Sequence, residues 1–304
     1  MISIKRSFAF RLSIYTITCV VIVFVGVLFY NYRVSKQIIT EHTSEHVRHV
    51  SELAINHVDA ILIPVKTITE YIADIISLSN ISWGIGRDLT LMLQSTVQSN
   101  PSIYGIAVAF EPYRFDKDKY YSGLAFCKTT NGIKSVNIGT FEYDYFKRDW
   151  FTEPKKLGHG VWSEPHLGTE GKLTIAYSQP IFKNINGKKE FVGVVECDIA
   201  LDWLITIVSN LNYCDLCENG YAFLLSLKGN FIVHPNKQYE GKSFFTLNPD
   251  KKLLGEDMIS GKTGHERFFS RTLNKVAFTF YRPMKSTEWT LGIVITEEEL
   301  LSNL

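Results

Sequence analysis

Residues Tyr143–Phe151 read YDYFKRDWF, so two tyrosines, an arginine, a tryptophan and two phenylalanines occur within nine positions. Arg148 and Trp150 are two positions apart, and their side chains can converge in an irregular turn or at the start of a short helix. Tyr143 precedes Arg148 by five positions, which is a little more than one helical turn. The spacing therefore allows these three side chains to reach one common point.

An arginine beside an indole N–H is a suitable receptor for a small carboxylate. Arginine offers planar bidentate donors, and tryptophan adds one more donor and an apolar wall. Asp198 follows the apolar run Phe191–Cys197, which has the composition of a buried strand. A carboxylate in that position needs a partner, and a ligand ammonium group would provide one.

The same residues also allow a purely structural interpretation. Trp150 and Phe151 would then be core residues, because large aromatic side chains contribute much of the buried area of a domain. Arg148 would pair with Asp144 or Asp149 instead of facing a ligand. Both interpretations are open at the level of the residues alone.

The pattern Tyr-x4-Arg-x-Trp-aromatic, followed by an aspartate at the end of a late strand, resembles the amino-acid-binding motif of double Cache sensor domains. The resemblance implies that Tyr143, Arg148 and Trp150 hold the carboxylate of the ligand. It also implies that position 151 and Asp198 hold its amino group. The implied fold is α+β, with two PAS-like modules built on antiparallel sheets.

Two positions depart from the family motif. Position 151 is Phe, so it lacks the hydroxyl group that would contact a ligand amine. In the segment Glu164–Gly168, where members of the family often have Pro-Tyr-x-Asp, this chain has His166 and Gly168. We include His166 among the candidate ligand-binding residues. The motif supports the carboxylate site more strongly than the ammonium site.

Residues Leu12–Tyr30 form an uncharged run rich in valine, isoleucine, leucine and phenylalanine. A helix of this length spans roughly 28 Å, close to the ~30 Å hydrocarbon core of a bilayer. Three basic residues precede the run, which favours a cytoplasmic segment over residues 1–11 and a membrane helix over residues 12–32. The alternative is a cleaved signal peptide, whose apolar core is usually about 7–15 residues long. Tyr30 and Tyr32 favour an uncleaved anchor in the plasma (inner) membrane, with the rest of the chain extracytoplasmic.

Residues 33–79 have the apolar spacing of a long helix. Apolar residues recur at intervals of three or four: Val47, Val50, Ala54, Val58, Ile61, Val65, Ile68, Ile72 and Ile75. This near-heptad pattern predicts an apolar seam, and Pro64 is expected to kink the helix without ending it. We interpret the seam both as packing against the chain's own domain and as a homodimer contact over residues 34–77.

After a shorter helix predicted over residues 87–98, the pattern changes to short strands. In the first module, residues 80–200, the predicted strands are Ile103–Phe110, Gly123–Lys128, Lys134–Ile138, Lys172–Pro180 and Lys189–Asp198. A connecting helix over residues 201–212 leads to a second module over residues 213–304. Its predicted strands are Tyr221–Ser226, Asn230–Val233, His265–Phe269, Val276–Pro283 and Trp289–Ile295. Residues Gly229–Pro235 also resemble the second module of double Cache domains.

The composition argues against several classes of function. The net charge is +1, from 32 Lys and Arg against 31 Asp and Glu, and no basic stripe indicates a nucleic-acid partner. The chain lacks a G-x-S-x-G motif, a Walker-type loop and a carboxylate cluster with metal-ligand spacing, so we expect no catalysis, cofactor or metal. Cys214 and Cys217 form a C-x-x-C pair outside the strand–helix context of redox enzymes. This favours a local disulfide or free structural thiols.

Together these observations predict a membrane-anchored sensor whose extracytoplasmic region binds a small carboxylate-bearing ligand, such as an amino acid, and signals across the membrane. The alternative is a ligand-free, Cache-like dimerisation or interaction module of a signalling protein. The resemblance implies an output such as a chemotaxis transducer, a histidine kinase, a cyclic-dinucleotide enzyme or a phosphatase. That output would follow a second membrane helix after Leu304 or belong to another protein, and the residues do not select among these classes.

Overall fold

The computed structural model describes residues 8–79, 85–168, 171–209 and 220–302. Within these ranges a long N-terminal helix is followed by two antiparallel sheets, which confirms the predicted α+β class and order of elements. The candidate disulfide of Cys214 and Cys217 lies outside the described residues, as does the end of the predicted connecting helix.

Helix α1 is continuous from Phe8 to Leu78 and contains 71 residues. At a rise of 1.5 Å per residue it is about 107 Å long. Its segment Leu12–Val34 is long and apolar enough to cross a membrane, and none of it is buried within the described chain. The predicted membrane helix and the predicted long helix after it are therefore one uninterrupted element. Pro64 lies inside α1 and does not end it, as expected.

The buried stripe of α1 differs from the predicted seam in its C-terminal half. The buried positions that were predicted are Val47, Val50, Ala54, Val58, Val65 and Ile72. Leu62, Thr69 and Ile76 are buried where Ile61, Ile68 and Ile75 were predicted, and Ile75 is 53% exposed. Alternating steps of three and four residues fit two adjacent stripes of one helix equally well. The stripe that is buried packs on the chain's own sheets, which confirms the predicted packing against the chain's own domain. The homodimer contact over residues 34–77 stays a prediction.

Helix α2 spans Ile85–Ser99, and seven strands form the sheet of the first module. These strands are β1 Gly105–Phe110, β2 Ser122–Thr129, β3 Gly132–Val136, β4 Val161–Trp162, β5 His166–Leu167, β6 Leu173–Ile185 and β7 Lys188–Ala200. Their order is β3-β2-β1-β7-β6-β4, with β5 paired to β6. The five predicted strands are confirmed, whereas β4 and β5, at two residues each, are too short to produce an alternating pattern.

Between β3 and β4 the chain forms a 3₁₀ helix, Tyr145–Lys147, and helix α3, Asp149–Leu157. Helix α4, Leu201–Ser209, follows β7 directly, at the start of the predicted connecting helix. The motif quoted from the sequence therefore lies on a turn and a helix start, packed on one face of the first sheet.

The second module has a five-stranded sheet in the order β10-β11-β12-β8-β9. Its strands are β8 Tyr221–Leu225, β9 Phe231–Val233, β10 Gly264–Ser270, β11 Lys275–Pro283 and β12 Thr290–Thr296, which confirms the five predicted ones. Helices α5, Phe244–Leu247, and α6, Lys252–Ile259, connect β9 to β10, and α7 spans Glu297–Ser302. Short 3₁₀ helices occur at Lys237–Tyr239 and Pro249–Lys251.

Strand β7 separates two layers of the first module. Cys197 and Ile199 belong to the hydrophobic cluster that includes the buried stripe of α1. Val194 belongs to a different cluster on the opposite face of the sheet. Because side chains alternate along a strand, Glu196 and Asp198 also face away from α1. The residues of the candidate site gather on that second face.

Candidate ligand-binding site

A cavity of about 740 Å³ lies on the face of the first sheet opposite α1. Its volume is within the ~300–1,000 Å³ range of small-molecule sites. Glu196 and Asp198 of β7 line its floor, and the residues paired with them on β1 are Ala107 and Gly105. These small partners leave space above the sheet that larger side chains would fill.

The wall of the cavity is formed by the motif around Arg148. Asp144 caps the 3₁₀ helix by accepting a hydrogen bond from the backbone N–H of Phe146 at 3.1 Å. Tyr145 is fully buried beneath it, and its hydroxyl donates to the carbonyl of Phe110 at 2.8 Å. The backbone N–H of Ser122 donates to the same hydroxyl at 3.1 Å. These contacts attach the motif to β1 and β2 and so hold Arg148 over the sheet.

Tyr143, Arg148 and Trp150 all line the cavity, as the sequence motif predicted they could. The indole Nε1–H of Trp150 donates a hydrogen bond to the hydroxyl of Tyr143 at 3.3 Å. The guanidinium carbon of Arg148 lies 4.8 Å from the centre of the Tyr143 ring, a cation–π contact. The three side chains are thus in contact with one another and together present hydrogen-bond donors to the cavity.

Arg148 has no ion-pair partner among the described residues. Asp144, one of the two partners considered from the sequence, instead pairs with Lys147 at 3.0 Å. Guanidinium donors that face a cavity and are not paired with a protein carboxylate are available to an anionic ligand. The structural alternative for Arg148 is therefore not what the structure contains.

Phe151 does not line the cavity, and the expectation that position 151 contacts the ligand is wrong. Its side chain is 1% exposed and packs in the core beneath the motif, edge-to-face with Phe191 at 5.7 Å between ring centres. Consecutive residues of an α-helix point about 100° apart. Since Trp150 faces the cavity from the first turn of α3, Phe151 must face the core.

His166 extends from β5 toward the floor, with Nε2 3.9 Å from a carboxylate oxygen of Asp198. Its Nδ1 lies 3.1 Å from the backbone carbonyl oxygen of Glu164. A carbonyl can only accept a hydrogen bond, so this contact requires a proton on Nδ1. In the neutral ring Nε2 is then an acceptor aimed at the same space as Asp198.

The two carboxyl groups on the floor, those of Asp198 and Glu196, have raised pKa values. Burial raises the pKa of Asp198 to about 6, and the nearby His166 opposes part of that rise. Burial, and then the negative charge of Asp198, raises the pKa of Glu196 well above its ordinary range. A cation in the cavity would stabilise the ionised forms of both carboxyl groups and so lower their pKa values.

The second module contributes to the rim of this cavity. Lys228, in the turn between β8 and β9, lies 3.3 Å from a carboxylate oxygen of Glu153 on α3. Asn230 donates a hydrogen bond from its side-chain amide to Glu164 at 3.0 Å. Residues of both modules therefore border the cavity.

The polar lining residues that were not identified from the sequence include Ser178, Glu196 and Lys228. The sequence does contain a pattern that could have identified Glu196, because it is the one charged residue in the apolar run Phe191–Cys197. With His166 and Asp198 it also forms a group whose donor atoms all lie within 4.8 Å of one another. A histidine with two carboxylates has donor types that suit several divalent metals, although no metal was expected from the sequence.

Two families match the chain, and together they cover residues 89–304. Residues 89–206 match the family described as methyl-accepting chemotaxis protein-like, first PDC sensor domain. Residues 171–304 match the Cache 3/Cache 2 fusion domain. Methyl-accepting chemotaxis protein McpA of Pseudomonas putida is 27% identical over 164 residues, which is 53% of this chain and 24% of McpA. The matched region of the chain thus spans about a quarter of that relative.

Solved structures share the fold. The extracellular domain of mmHK1S-Z3 superimposes with a TM-score of 0.71 at 23% identity, over 88% of this chain and 97% of that domain. The ligand-binding domain of the amino acid chemoreceptor PctB of Pseudomonas aeruginosa PAO1, in complex with L-Gln, gives a TM-score of 0.62 at 18% identity, over 85% of this chain and 93% of that domain. The matched families are sensor families, not catalytic ones. Residues 89–304 thus match two sensor-domain families, one over residues 89–206 and the other over residues 171–304, and they share the two-sheet fold of double Cache sensor domains.

Proposed function

We propose that this protein is a membrane-anchored sensor whose first module binds a small ligand of the amino-acid type in the cavity beneath Arg148. One observation carries the proposal: an unpaired guanidinium and the partly buried carboxylate of Asp198 line the same cavity. The ligand carboxylate would contact Arg148 and the Trp150–Tyr143 pair. Its ammonium group would contact Asp198 and the Nε2 atom of His166.

The binding of L-Gln by PctB supports this assignment, because that domain has the same fold. The motif residues that the family resemblance assigns to the ligand carboxylate line the cavity of this chain. The ammonium side differs, since Phe151 is in the core and His166 takes the place of a tyrosine. The ligand of this chain is therefore expected to differ from L-Gln.

The membrane part of the proposal rests on the apolar segment Leu12–Val34 of α1 and the basic residues before it. The positive-inside tendency would keep Lys5, Arg6 and Arg11 in the cytoplasm. Both sheets would then lie outside the cytoplasm. A periplasm-active reporter fused after Asn100 should be active and a cytoplasm-only reporter inactive, and the reverse pattern would contradict the topology.

Calorimetry on the full chain in lipid nanodiscs tests the ligand site, with amino acids titrated beside their deaminated acids. Arg148→Ala removes a charge-assisted contact of about 1.5–3 kcal/mol, so affinity should fall about ten- to a hundredfold. Lys147→Ala is the matched control, since the neighbouring Lys147 is exposed and pairs with Asp144. If Arg148→Ala lowers the melting temperature of the free protein but leaves affinity unchanged, the arginine is structural and the proposed site is wrong.

A ligand-free interaction module is the second candidate. The observation in its favour is an apolar strip on the exposed face of α1 that includes Ile63, Tyr71 and Ile75. Mass spectrometry of the protein purified under native conditions separates the two functions. A released small molecule supports the sensor, and an empty cavity that binds none of the titrated amino acids supports the interaction module.

A further inference from the structure

Glu196 is a buried acidic residue with no hydrogen-bond or ion-pair partner in the part of the chain that the structure describes. It lies in the central strand of the seven-stranded sheet, is 6% exposed and lines the cavity. Its Oε1 atom has no hydrogen-bond partner among the described residues, and neither has the hydroxyl of Ser178. Ser178 is paired directly with Glu196 across β6 and β7. Two buried polar groups side by side on a cavity floor indicate that something in the cavity completes their hydrogen bonds.

A neutral amino acid would leave the charge of Glu196 unbalanced. In the proposed function, Arg148 faces the ligand carboxylate and Asp198 faces the ligand ammonium. Glu196 would then stay buried beside Asp198 with no positive charge of its own. Lys228, which also lines the cavity, is already paired with Glu153. An unpaired buried carboxylate is costly, so the site needs either a proton or a second cation at Glu196.

We propose that the cavity selects amino acids with a cationic side chain, and that Glu196 and Ser178 bind this second cationic group. The inference rests on the proposed function, because Arg148 and Asp198 hold the other two groups of the same ligand. A ligand with one carboxylate and two ammonium groups carries one net positive charge. It neutralises Arg148, Asp198 and Glu196 together, which a zwitterion with a neutral side chain does not.

The spacing of the two carboxylates suits such a ligand. Glu196 and Asp198 are two positions apart on one face of β7, which corresponds to about 6.6 Å along the strand. Two amino nitrogens separated by three or four carbon atoms are about 5–6 Å apart at standard bond lengths. Ala107 and Ala125 line the cavity beside Glu196, so the floor has room for the second group.

The charges around the cavity favour a cation as well. Arg148 and Lys228 are outnumbered by five acidic residues of the lining, which are Asp149, Glu153, Glu164, Glu196 and Asp198. The lining would carry a net charge of −3 with all five ionised and His166 neutral. An excess of negative charge in a cleft raises the local concentration of cations. A single divalent metal on His166, Glu196 and Asp198 would also be favoured, and the experiment has to distinguish it from a ligand amine.

The test is calorimetry on the full chain in nanodiscs, with L-ornithine compared with L-norvaline and L-glutamine in buffer containing EDTA. Norvaline lacks only the terminal amine of ornithine, and glutamine has a neutral polar side chain of similar length. The wild type should bind ornithine about ten- to a hundredfold more tightly than norvaline.

Glu196→Gln keeps the shape of the side chain and should remove most of that preference, with norvaline and glutamine binding unchanged or stronger. Ser178→Ala should reduce the preference less. Glu256→Gln, an exposed glutamate of the second module, is the control and should change nothing.

Three outcomes overturn the inference. The first is equal binding of ornithine and norvaline, or a preference that Glu196→Gln leaves intact. If Arg148→Ala still lowers the affinity for all three amino acids about ten- to a hundredfold, the proposed function survives that result. The second is ornithine binding that is lost in EDTA and restored by Zn²⁺ or Ca²⁺, which would assign Glu196 to a metal. The third is no binding of any amino acid by the wild type, which would overturn the proposed function as well.

Discussion

Asn230, in the second module, donates a 3.0 Å hydrogen bond to the side chain of Glu164, on the rim of the cavity in the first module. The backbone carbonyl of Glu164 in turn accepts from Nδ1 of His166, which faces the proposed ligand. A short, continuous set of polar contacts therefore connects the cavity floor to the sheet of the second module. This arrangement is a physical route by which ligand occupancy can alter the second module.

We expect Asn230→Ala to uncouple the two modules. The change removes one neutral-to-charged hydrogen bond at the rim, so ligand affinity should fall by less than about tenfold. In the wild type, ligand binding should slow hydrogen exchange of the backbone amides in β9, and in Asn230→Ala this protection should be lost. Lys237→Ala, on the exposed surface of the second module, should behave as the wild type. Equal protection of β9 in all three proteins would contradict the route.

The pH dependence of stability should report the protonation of the partly buried carboxyl group of Asp198. Its pKa in the folded protein is about 6, above the ordinary value of 3.8, so the folded state binds this proton more tightly than the unfolded state. The stability from this group is fully present below about pH 4 and is lost as the pH rises toward 6. Without ligand, the melting temperature of the wild type should fall over this interval relative to Asp198→Asn. A difference in melting temperature between the two proteins that stays constant over this pH range would show that the pKa of Asp198 is not raised.

Phe151→Tyr should weaken the fold without improving the ligand site. The family motif has a hydroxyl group near the ligand amine at this position, but Phe151 here is buried in an aromatic cluster. A hydroxyl placed there without a partner costs about 1–3 kcal/mol. Denaturant unfolding should show this loss, and calorimetry should show unchanged affinity for amino acids.

Phe141→Tyr, at a site that is 93% exposed, should alter neither quantity. Stronger amino-acid binding by Phe151→Tyr would mean that position 151 does reach the ligand.

A homodimer along α1, if it forms, has to use the exposed face of the helix. Ile75 is 53% and Tyr71 is 64% exposed, whereas Val58 is fully buried against the chain's own core. Ile75→Glu should lower the dimer fraction in sedimentation of the detergent-solubilised chain, with little change in unfolding free energy. Val58→Glu should instead unfold the domain, because it buries an unpaired charge. A wild-type chain that stays monomeric at every concentration would remove the dimer proposal.

The amino-acid sequence by itself determined the local elements and the chemical character of the site. Alternation and turn residues located ten strands, because the two faces of a strand differ in polarity wherever one of them is buried. The uncharged run Leu12–Tyr30 identified the candidate membrane helix for an equally local reason. The spacing of Tyr143, Arg148 and Trp150 was enough to predict that these side chains could meet.

The tertiary structure alone decided which of several equivalent faces is used. Leu62 is buried in place of Ile61 because the sheets pack on one of two adjacent stripes that the same heptad spacing allows. Phe151 is in the core because α3 begins at Asp149 and directs consecutive residues to different sides. Glu196 meets Ser178 and His166 only through the pairing of β6 with β5 and β7. Such contacts join residues far apart in the chain, and no local periodicity encodes them, so the proposed second cation site could be inferred only from the folded molecule.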